Sequence, residues 1–424
     1  MQYKLQNTSK NIAWYRLAID QLHSDKFFQF VQDHLQEDPA LLLLKQAKIA
    51  GLDLKEAVQQ IAARQKLASK LPEWVADPKV LFPASLSLEQ SSSELTAKFK
   101  AKNIAGRTLI DLTGGLGVDT FYMGQKFDQV VYLERQEALA TLAEHNFSIL
   151  NPSETQYLVL AGDSLSYLKE SENTYDWLYV DPARRGANNS KLYKLSDCEP
   201  DILGNWELLK KRSSHIMVKA SPMLDVKGVL NEIPDIQEVH IVAVRNEVKE
   251  VLLLWNSGRE AVPRINAVDL KAGGEAIFTF TYDQEERTVA DYLLPQRYLI
   301  EPDAAIMKAG GFRCFASTYG LYKLHPNTHL YTTSVFPAGI MGRVFEVVQE
   351  LKLDKKVLKH AFPSGKVNVL VRNHPLKPDM LKKKYGLKDG GEDFLLATTT
   401  IDGKTRAYWC RRIASSDVMT EKPV

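Results

Sequence analysis

The pattern of hydrophobic and polar positions changes along the chain. Residues 1 to about 75 have a helical pattern, and in the stretch that follows Asp53, a candidate N-cap, the apolar positions Leu54, Ala57, Val58 and Ile61 fall on one helix face. Residues 71–94 then contain three prolines and a cluster of serines, which is typical of a domain boundary. A helical domain followed by a second unit is the expected organisation.

From about residue 105, short apolar runs alternate with polar stretches of helix length. Seven runs predict strands: RTLIDLT, QVVYLER, TQYLVLAG, YDWLYVDP, SHIMVKASP, EVHIVAVR and VLLLWNSG. Continuous runs rich in Val, Ile and Leu indicate a parallel sheet covered by helices on both faces. Only NEVKE separates the last two runs, which is too short for a parallel crossover and predicts an antiparallel hairpin at one edge. The pattern therefore favours an open α/β sheet of seven strands.

The rest of the chain predicts smaller α+β units. Alternating runs such as AIFTFTY indicate an antiparallel unit from residue 262 to about 325. Farther on, VNVLVRN predicts a strand, KPDMLKKKYGL a basic helix, and DFLLATTT and TRAYWCRR a hairpin that turns at IDGK. These segments predict a compact module at the carboxyl end.

Composition adds limits to this organisation. The 424 residues, 45% hydrophobic and 25% charged, suit a globular protein of two or three domains. The net charge is only +2, but residues 343–412 hold 16 Lys and Arg against 8 Asp and Glu, so basic charge is concentrated there. Without a secretory leader or an apolar run of membrane length, we expect a cytoplasmic protein with no membrane partner. The three cysteines have no metal-site or disulfide spacing, so we expect them to be buried and no metal to be bound.

Four acidic residues stand at or just beyond the ends of the first four predicted strands. Asp111 precedes the glycine-rich stretch TGGLGVD, Glu134 lies 17 residues after Gly117, and Asp163 and Asp181 follow the next two runs. Open α/β sheets bind ligands at this edge, where an acid after the second strand can accept hydrogen bonds from ribose hydroxyls. The glycines allow a tight turn and close approach of a ligand to the backbone.

These motifs resemble those of class I S-adenosylmethionine-dependent methyltransferases. More narrowly, LEQSSSELTAKFKA, DLTGGLGVDT, DPARRG and LKKKYGLKDGGEDFLLATTT resemble a bacterial family of such enzymes with a ferredoxin-like insert and a C-terminal THUMP-like domain. The resemblance implies a Rossmann-like, seven-stranded catalytic domain and S-adenosylmethionine as the cofactor. The resemblance covers the chain from about residue 75 to 412. Together with the pattern of apolar runs, it predicts a helical domain at 1–75, the catalytic domain at 76–261, a ferredoxin-like domain at 262–325, a THUMP-like domain at 326–412 and a tail at 413–424.

The resemblance also implies roles for single residues. The methionine part of the cofactor would lie beside the motif I residues Asp111, Thr113, Gly115, Gly117 and Asp119. Its ribose would be bound by Glu134, and its adenine by Asp163 and Ser164. The stretch SLEQSSSE, residues 87–94, would lie across the cofactor, although a serine-rich linker with a helix cap explains it equally well.

The loop after the fourth strand, DPARRG, carries the candidate catalytic residues Asp181, Pro182 and Arg184. Enzymes of this fold that methylate amino groups use Asn/Asp-Pro-Pro and an aromatic residue, which this loop lacks. RNA 5-methyluridine methyltransferases share Asp-Pro-x-Arg-x-Gly but need a cysteine nucleophile after the fifth strand, where this chain has Ala220. Direct transfer to a nitrogen or oxygen is left, with Asp181 orienting the acceptor or taking its proton.

Basic residues supply candidate contacts to RNA. Arg185, together with Arg184, could hold a phosphate or pair with local acids, and Lys219 and Ser221 are possible contacts on the other side of the site. In the carboxyl-terminal module, Lys382, Lys383 and Lys384 predict RNA binding, as THUMP domains do in RNA-modifying enzymes; the alternative is a solvated helix face. We therefore expect an RNA methyltransferase. The alternatives are a non-catalytic RNA-binding protein and a methyltransferase acting on a small molecule or protein.

Overall fold

The computed structural model describes residues 24–45, 51–83, 91–151, 154–184, 194–258 and 262–413. The chain forms two compact units, one made of Met1–Gln237 with Val251–Ala261 and the other of Glu238–Glu250 with Val262–Val424. The domain limits expected from the sequence remain a prediction. The division between the two units falls in a pair of consecutive strands described below.

The first unit contains ten described helices, which lie before, within and after the boundary segment that the sequence predicts at residues 71–94. Its described helices are α1 (Asp25–Asp33), α2 (Pro39–Lys45), α3 (Leu54–Leu67), α4 (Pro72–Ala76), α5 (Glu94–Lys102), α6 (Val118–Gly124), α7 (Glu137–Leu150), α8 (Ser164–Glu170), α9 (Trp206–Arg212) and α10 (Val226–Glu232). As predicted, Asp53 caps α3, since its carboxylate accepts a hydrogen bond from the Glu56 amide. Ala57, Val58 and Ile61 of α3 are buried against α1 and α2.

Six strands form the sheet of the first unit. They are β1 (Thr108–Asp111), β2 (Gln129–Glu134), β3 (Gln156–Ala161), β4 (Tyr175–Val180), β7 (Ser213–Ala220) and β9 (Glu247–Asn256), and two short strands, β5 (Ala183–Arg184) and β6 (Cys198–Glu199), form a separate ribbon. The order is β9-β7-β4-β1-β2-β3, parallel except that β9 runs antiparallel to β7. The predicted parallel sheet is confirmed.

The predicted hairpin is also present. Strand β8 (Glu238–Val244) is joined to β9 by Arg245 and Asn246, both with positive φ (53° and 60°), as a tight turn with right-handed strand twist requires. The amide of Gln237 donates to the carbonyl of Leu254 at 3.0 Å. The seven strands predicted from the apolar runs thus all form.

In the second unit, β10 (Arg264–Lys271) pairs in parallel with β8 and antiparallel with β11 (Gly274–Phe280). The predicted position of the hairpin at one edge is therefore wrong, because β8 has β10 on its other side. A separate sheet has the order β13-β14-β12-β15-β18-β17-β16. Its strands are β12 (Tyr298–Pro302), β13 (Tyr322–His325), β14 (Thr328–Thr333), β15 (Gly342–Leu351), β16 (Asn368–Arg372), β17 (Asp393–Thr399) and β18 (Thr405–Ile413). The described helices are α11 (Tyr282–Arg287), α12 (Ala304–Ala309), α13 (Phe312–Tyr319), α14 (Lys355–Ala361) and α15 (Pro378–Tyr385).

The carboxyl-terminal module has the predicted strand, basic helix and hairpin. Strands β17 and β18 pair antiparallel across the turn at residues 400–404. Helices α14 and α15 bury Leu358 and Leu381 in one apolar cluster with Leu395 of β17. All three cysteines are buried, as expected. Within the described residues, none of the helices combines the length and the apolar character needed to cross a membrane.

Candidate active site

The glycine-rich loop between β1 and α6 is held by the end of β2. Glu134 accepts hydrogen bonds from the amides of Gly115 (2.8 Å) and Gln136 (2.7 Å). The hydroxyl of Tyr132 donates to the Gly115 carbonyl at 2.6 Å. Gly115 and Gly117 have φ values of 68° and 84°, a conformation that side chains with Cβ disfavour. The loop is therefore shaped by its glycines and fixed by Glu134.

Asp111, the last residue of β1, is buried and bonded to the residues that follow it. Its carboxylate accepts from the Thr113 amide at 2.8 Å and from the Thr120 hydroxyl. Burial raises the pKa of Asp111 to about 7, although the hydrogen bond from Thr120 opposes this rise. Asp111 thus titrates near neutral pH in the folded protein.

Asp119, in α6, is the centre of a buried polar cluster. Its Oδ2 atom accepts from the Ser92 and Tyr179 hydroxyls, both at 2.7 Å, and its Oδ1 atom lies 3.1 Å from Nζ of Lys100, which is fully buried. Burial by itself would raise the pKa of Asp119, but the ammonium groups of Lys100 and Lys219 lower it well below its usual range. Asp119 is therefore an ionised carboxylate that accepts hydrogen bonds at Oδ2 and has the Lys100 ammonium beside Oδ1.

Asp181 lies immediately after β4 and connects to this cluster through Lys219. Its Oδ2 atom is 2.5 Å from Nζ of Lys219, which also lies 3.1 Å from the Ser92 hydroxyl and 3.4 Å from Oδ2 of Asp119. The Asp181 amide donates to the Thr113 hydroxyl at 2.7 Å, so its loop is tied to the glycine-rich loop. The side chain of Asp181 is 38% exposed and that of Asp119 only 10%. We call the connected group the aspartate–lysine cluster; its members are Ser92, Lys100, Asp119, Tyr179, Asp181 and Lys219.

Asp163, after β3, lies at the start of α8. Its carboxylate accepts from the Ser166 amide at 2.8 Å, which lowers its pKa, and it lies 3.6 Å from Arg135. The next residue, Ser164, is buried. The four predicted acids thus lie at or just beyond the ends of four adjacent parallel strands, at one edge of the sheet.

Comparisons with known proteins identify the family of this chain. A ferredoxin-like domain family matches residues 298–338, and a THUMP domain-like family matches residues 342–412. A crystal structure described as that of a candidate methyltransferase from Porphyromonas gingivalis W83 is 33% identical, with a TM-score of 0.84, and the match covers 92% of this chain and 98% of that one. The chain belongs to the class I S-adenosylmethionine-dependent methyltransferase family with ferredoxin-like and THUMP-like domains.

Two curated relatives extend the comparison. An uncharacterised S-adenosylmethionine-dependent methyltransferase of Mycobacterium tuberculosis strain CDC 1551 / Oshkosh is 24% identical over 365 residues, which cover 84% of this chain and 96% of that protein. Ribosomal RNA small subunit methyltransferase J of Acinetobacter baumannii strain SDF is 29% identical over 175 residues, or 35% of this chain and 61% of that protein. The protein is accordingly an enzyme, and its cofactor is S-adenosylmethionine.

The sheet edge of this methyltransferase fits that cofactor. A Cβ atom at Gly115 would meet nothing closer than the Thr113 carbonyl at 3.9 Å, and at Gly162, which has φ of 149°, it would meet nothing within 4 Å. The backbone at the ends of β1 and β3 therefore faces open space, where a ligand can approach it closely. When bound, S-adenosylmethionine supplies a methyl group on a positively charged sulfur that is already activated for transfer.

The remaining predicted residues fall in three places. Pro182 is buried beside Asp181. The backbone of Arg184 pairs with that of Cys198, but the structure does not describe the side chain of Arg184. Arg185 lies outside the described residues. Lys382, Lys383 and Lys384 belong to the second unit, on α15. In the described ranges, no group of three or more His, Cys, Asp or Glu residues could hold a metal ion.

Two members of the aspartate–lysine cluster were missed by sequence reasoning. Lys100 lies four residues after Thr96 and three after Ala97, both buried, so the helical period of α5 places this lysine on the inner face. The position of Lys100 on this inner face could have identified it from the sequence as a buried charge. Tyr179 lies in the apolar run of β4, where nothing in the sequence distinguishes it from a core residue. Of SLEQSSSE, Ser92 contacts Asp119, while residues 87–90 lie outside the described residues.

Proposed function

We propose that this methyltransferase modifies RNA, either ribosomal or transfer RNA, at a nitrogen or oxygen atom by direct transfer. The observation that carries the acceptor chemistry is the placement of Asp181, a partly exposed carboxylate tied to the glycine-rich loop through Thr113. Such a carboxylate can orient an acceptor N–H or O–H or accept its proton. Pro182 would shape this loop, and Arg184 and Arg185 would contact a phosphate.

The strand ends would hold the cofactor. The motif I residues Asp111, Thr113, Gly115 and Gly117 would border its methionine part, with Asp119 acting through the aspartate–lysine cluster. Glu134 would accept hydrogen bonds from the ribose hydroxyls in addition to the two backbone amides that it already binds. Asp163 and Ser164 would contact the adenine. A pyrimidine C5 acceptor is disfavoured, because Ala220 stands where the nucleophilic cysteine would be needed.

Support for RNA as the substrate comes from the carboxyl-terminal module. It matches a THUMP domain-like family, and the Acinetobacter relative is named for ribosomal RNA methylation. Helices α14 and α15 pack on one apolar cluster. Exposed lysines lie on and beside these helices: Lys355, Lys356, Lys359, Lys366, Lys383, Lys384 and Lys388. A concentration of lysines suits the phosphate groups of RNA.

The lysines predicted from the sequence differ in their surroundings. Lys382 pairs with Asp379 at 2.9 Å and Asp389 at 2.6 Å. The ammonium of Lys384 lies 5.3 Å from the Tyr385 ring centre, and Lys383 is exposed. Lys383 and Lys384 are therefore better suited to phosphate contact than Lys382, whose charge is already balanced.

Nucleoside mass spectrometry of RNA from cells with and without the gene tests this proposal. One methylated nucleoside should disappear on deletion, return with the wild-type gene and stay absent with Asp181→Ala. Lys211→Met, which changes an exposed lysine on α9, should restore it fully and serves as the control. If the RNA of the two strains has the same methylated nucleosides, RNA is not the substrate.

A further inference from the structure

We propose that Lys219 is a positioning residue for methyl transfer, which holds the Asp181 carboxylate toward the acceptor and joins it to the buried Asp119. This inference deepens the proposed function, since it rests on Asp181 as the group that orients the acceptor. Lys219 lies in β7 and Asp181 follows the neighbouring strand β4. The two residues therefore face the same edge of the sheet.

Lys219 contacts three members of the aspartate–lysine cluster. An ammonium group has three N–H donors, and three oxygens surround this one: Asp181 Oδ2 at 2.5 Å, Ser92 Oγ at 3.1 Å and Asp119 Oδ2 at 3.4 Å. The side chain of Lys219 is only 13% exposed. Its donors are thus directed at protein oxygens, which argues for positioning rather than for contact with the substrate.

Asp181 keeps capacity to bind an acceptor while Lys219 holds it. A carboxylate has two oxygens and about four acceptor positions, and the contact to Lys219 uses Oδ2. Because the carboxylate is paired with an ammonium group, it serves as a hydrogen-bond acceptor. An acceptor group that carries its own N–H or O–H therefore matches this site.

Asp119 gives Lys219 a fixed support. The carboxylate of Asp119 is also bound by Ser92, Tyr179 and the fully buried Lys100, so its position is determined from several elements. With two lysines and two aspartates, the cluster is electrically balanced. Removing the Lys219 charge would leave Asp181 free to change rotamer. In enzymes, displacement of a reacting group by about 1 Å can lower the rate by roughly 100-fold.

A double-mutant cycle with Asp181→Asn and Lys219→Met tests the inference. The substrate is RNA from cells that lack the gene, the methyl group of S-adenosylmethionine carries tritium, and kcat and KM are measured separately. Lys219→Met should lower kcat roughly 100-fold, with KM for RNA and the calorimetric Kd for S-adenosylmethionine changed by less than about threefold. The double variant should be no slower than Asp181→Asn alone, because both changes remove one function.

Two further variants separate positioning from folding. Lys219→Arg keeps the charge and should recover part of the lost kcat, whereas Lys211→Met should behave as wild type. The thermal unfolding midpoint of each variant identifies any loss of structure, and if Lys219→Met does not fold, Lys219→Gln replaces it in the cycle. Equal kcat for wild type and Lys219→Met, or losses that multiply in the double variant, would overturn the inference.

Crystal structures with S-adenosylhomocysteine distinguish failure of this inference from failure of the proposed function. If wild-type enzyme transfers no label to RNA, the proposed substrate is wrong, but the positioning of Asp181 is still measurable. Asp181 should contact Lys219 in the wild type and adopt another rotamer in Lys219→Met. An unchanged Asp181 rotamer in the variant would show that Lys219 does not position it.

Discussion

Nζ of Lys100 lies 3.1 Å from Oδ1 of Asp119, and both side chains are buried. This contact joins α5, which follows the boundary segment of the sequence, to α6, which follows the glycine-rich loop. Burying each charge is costly unless it is paired. The stability of the site should therefore depend on both partners being present.

Lys100→Met should destabilise the protein strongly, because it leaves the buried Asp119 carboxylate with Lys219 as its only cationic partner in the aspartate–lysine cluster. Removal of one partner of a buried ion pair costs about 3–5 kcal/mol, which corresponds to a fall of roughly 10 °C in the unfolding midpoint. Differential scanning calorimetry measures this change. The matched control is Lys126→Met, which removes an exposed lysine and should shift the midpoint by less than about 2 °C.

A double variant, Lys100→Met with Asp119→Asn, checks the cause of that loss. Replacing both charged partners removes the unpaired carboxylate, so the double variant should be more stable than Lys100→Met alone. A double variant that is less stable than Lys100→Met would show that loss of packing, rather than an unpaired charge, explains the effect.

Alanine at Gly115 and at Gly117 should have different effects. Both residues have positive φ, which costs alanine about 1–2 kcal/mol. At Gly117 the new Cβ would also lie 2.7 Å from the Phe147 ring, whereas at Gly115 it would enter open space. Gly117→Ala should thus lower the unfolding midpoint more than Gly115→Ala does. Gly115→Ala should instead weaken S-adenosylmethionine binding at least about tenfold, with a smaller loss of stability than Gly117→Ala. Calorimetric titration and thermal unfolding of the two variants measure both quantities; equal affinity of Gly115→Ala and wild type would contradict this use of the loop.

The sequence predicted the elements that depend on local pattern. Apolar runs and their spacing identify the parallel strands and the β8–β9 hairpin, and because parallel strands end at one edge, Asp111, Glu134, Asp163 and Asp181 could be placed together. The helix cap at Asp53 is also predictable from local pattern, because an aspartate stands directly before a segment with one apolar helix face.

Long-range contacts were not predictable in this way. Lys100, Asp119 and Lys219 are separated by 19 and 100 residues, and their meeting depends on how α5, α6 and β7 pack. Lys219 was recognised as a candidate only from its place after the fifth apolar run, without its partners. The concentration of basic residues around Lys382 is visible in the sequence. The ion pair of Lys382 with Asp389 is not, because it depends on the turn after α15.

Asp111 should make stability depend on pH. Its pKa is about 7 in the folded state against an ordinary value of 3.8, so between about pH 4 and pH 7 the folded state holds a proton that the unfolded state has lost. The contribution of Asp111 to the free energy of unfolding should therefore fall as the pH rises through this range, by up to about 4 kcal/mol, and stay constant above it.

The comparison with Asp111→Asn isolates this contribution, because asparagine does not titrate. Urea unfolding of the two proteins across this pH range gives the difference in their free energies of unfolding. That difference should shift in favour of Asp111→Asn as the pH rises to about 7. A difference that is independent of pH would mean that the folded and unfolded proteins share one Asp111 pKa.

The lysines of α15 should contribute unequally to RNA binding. Lys383→Gln with Lys384→Gln should weaken binding and reduce the slope of log K against log salt concentration by roughly one to two, since each lost phosphate contact removes about one. Lys382→Gln should change affinity by less than about twofold, because its ammonium is paired with Asp379 and Asp389. Fluorescence anisotropy with a labelled RNA fragment at several salt concentrations measures both the affinity and the salt slope.

Two outcomes would contradict this prediction. If Lys382→Gln alone weakens binding as much as the double variant, the two ion pairs of Lys382 do not keep this lysine from contacting RNA. If neither variant changes the salt slope, other residues bind the RNA phosphates.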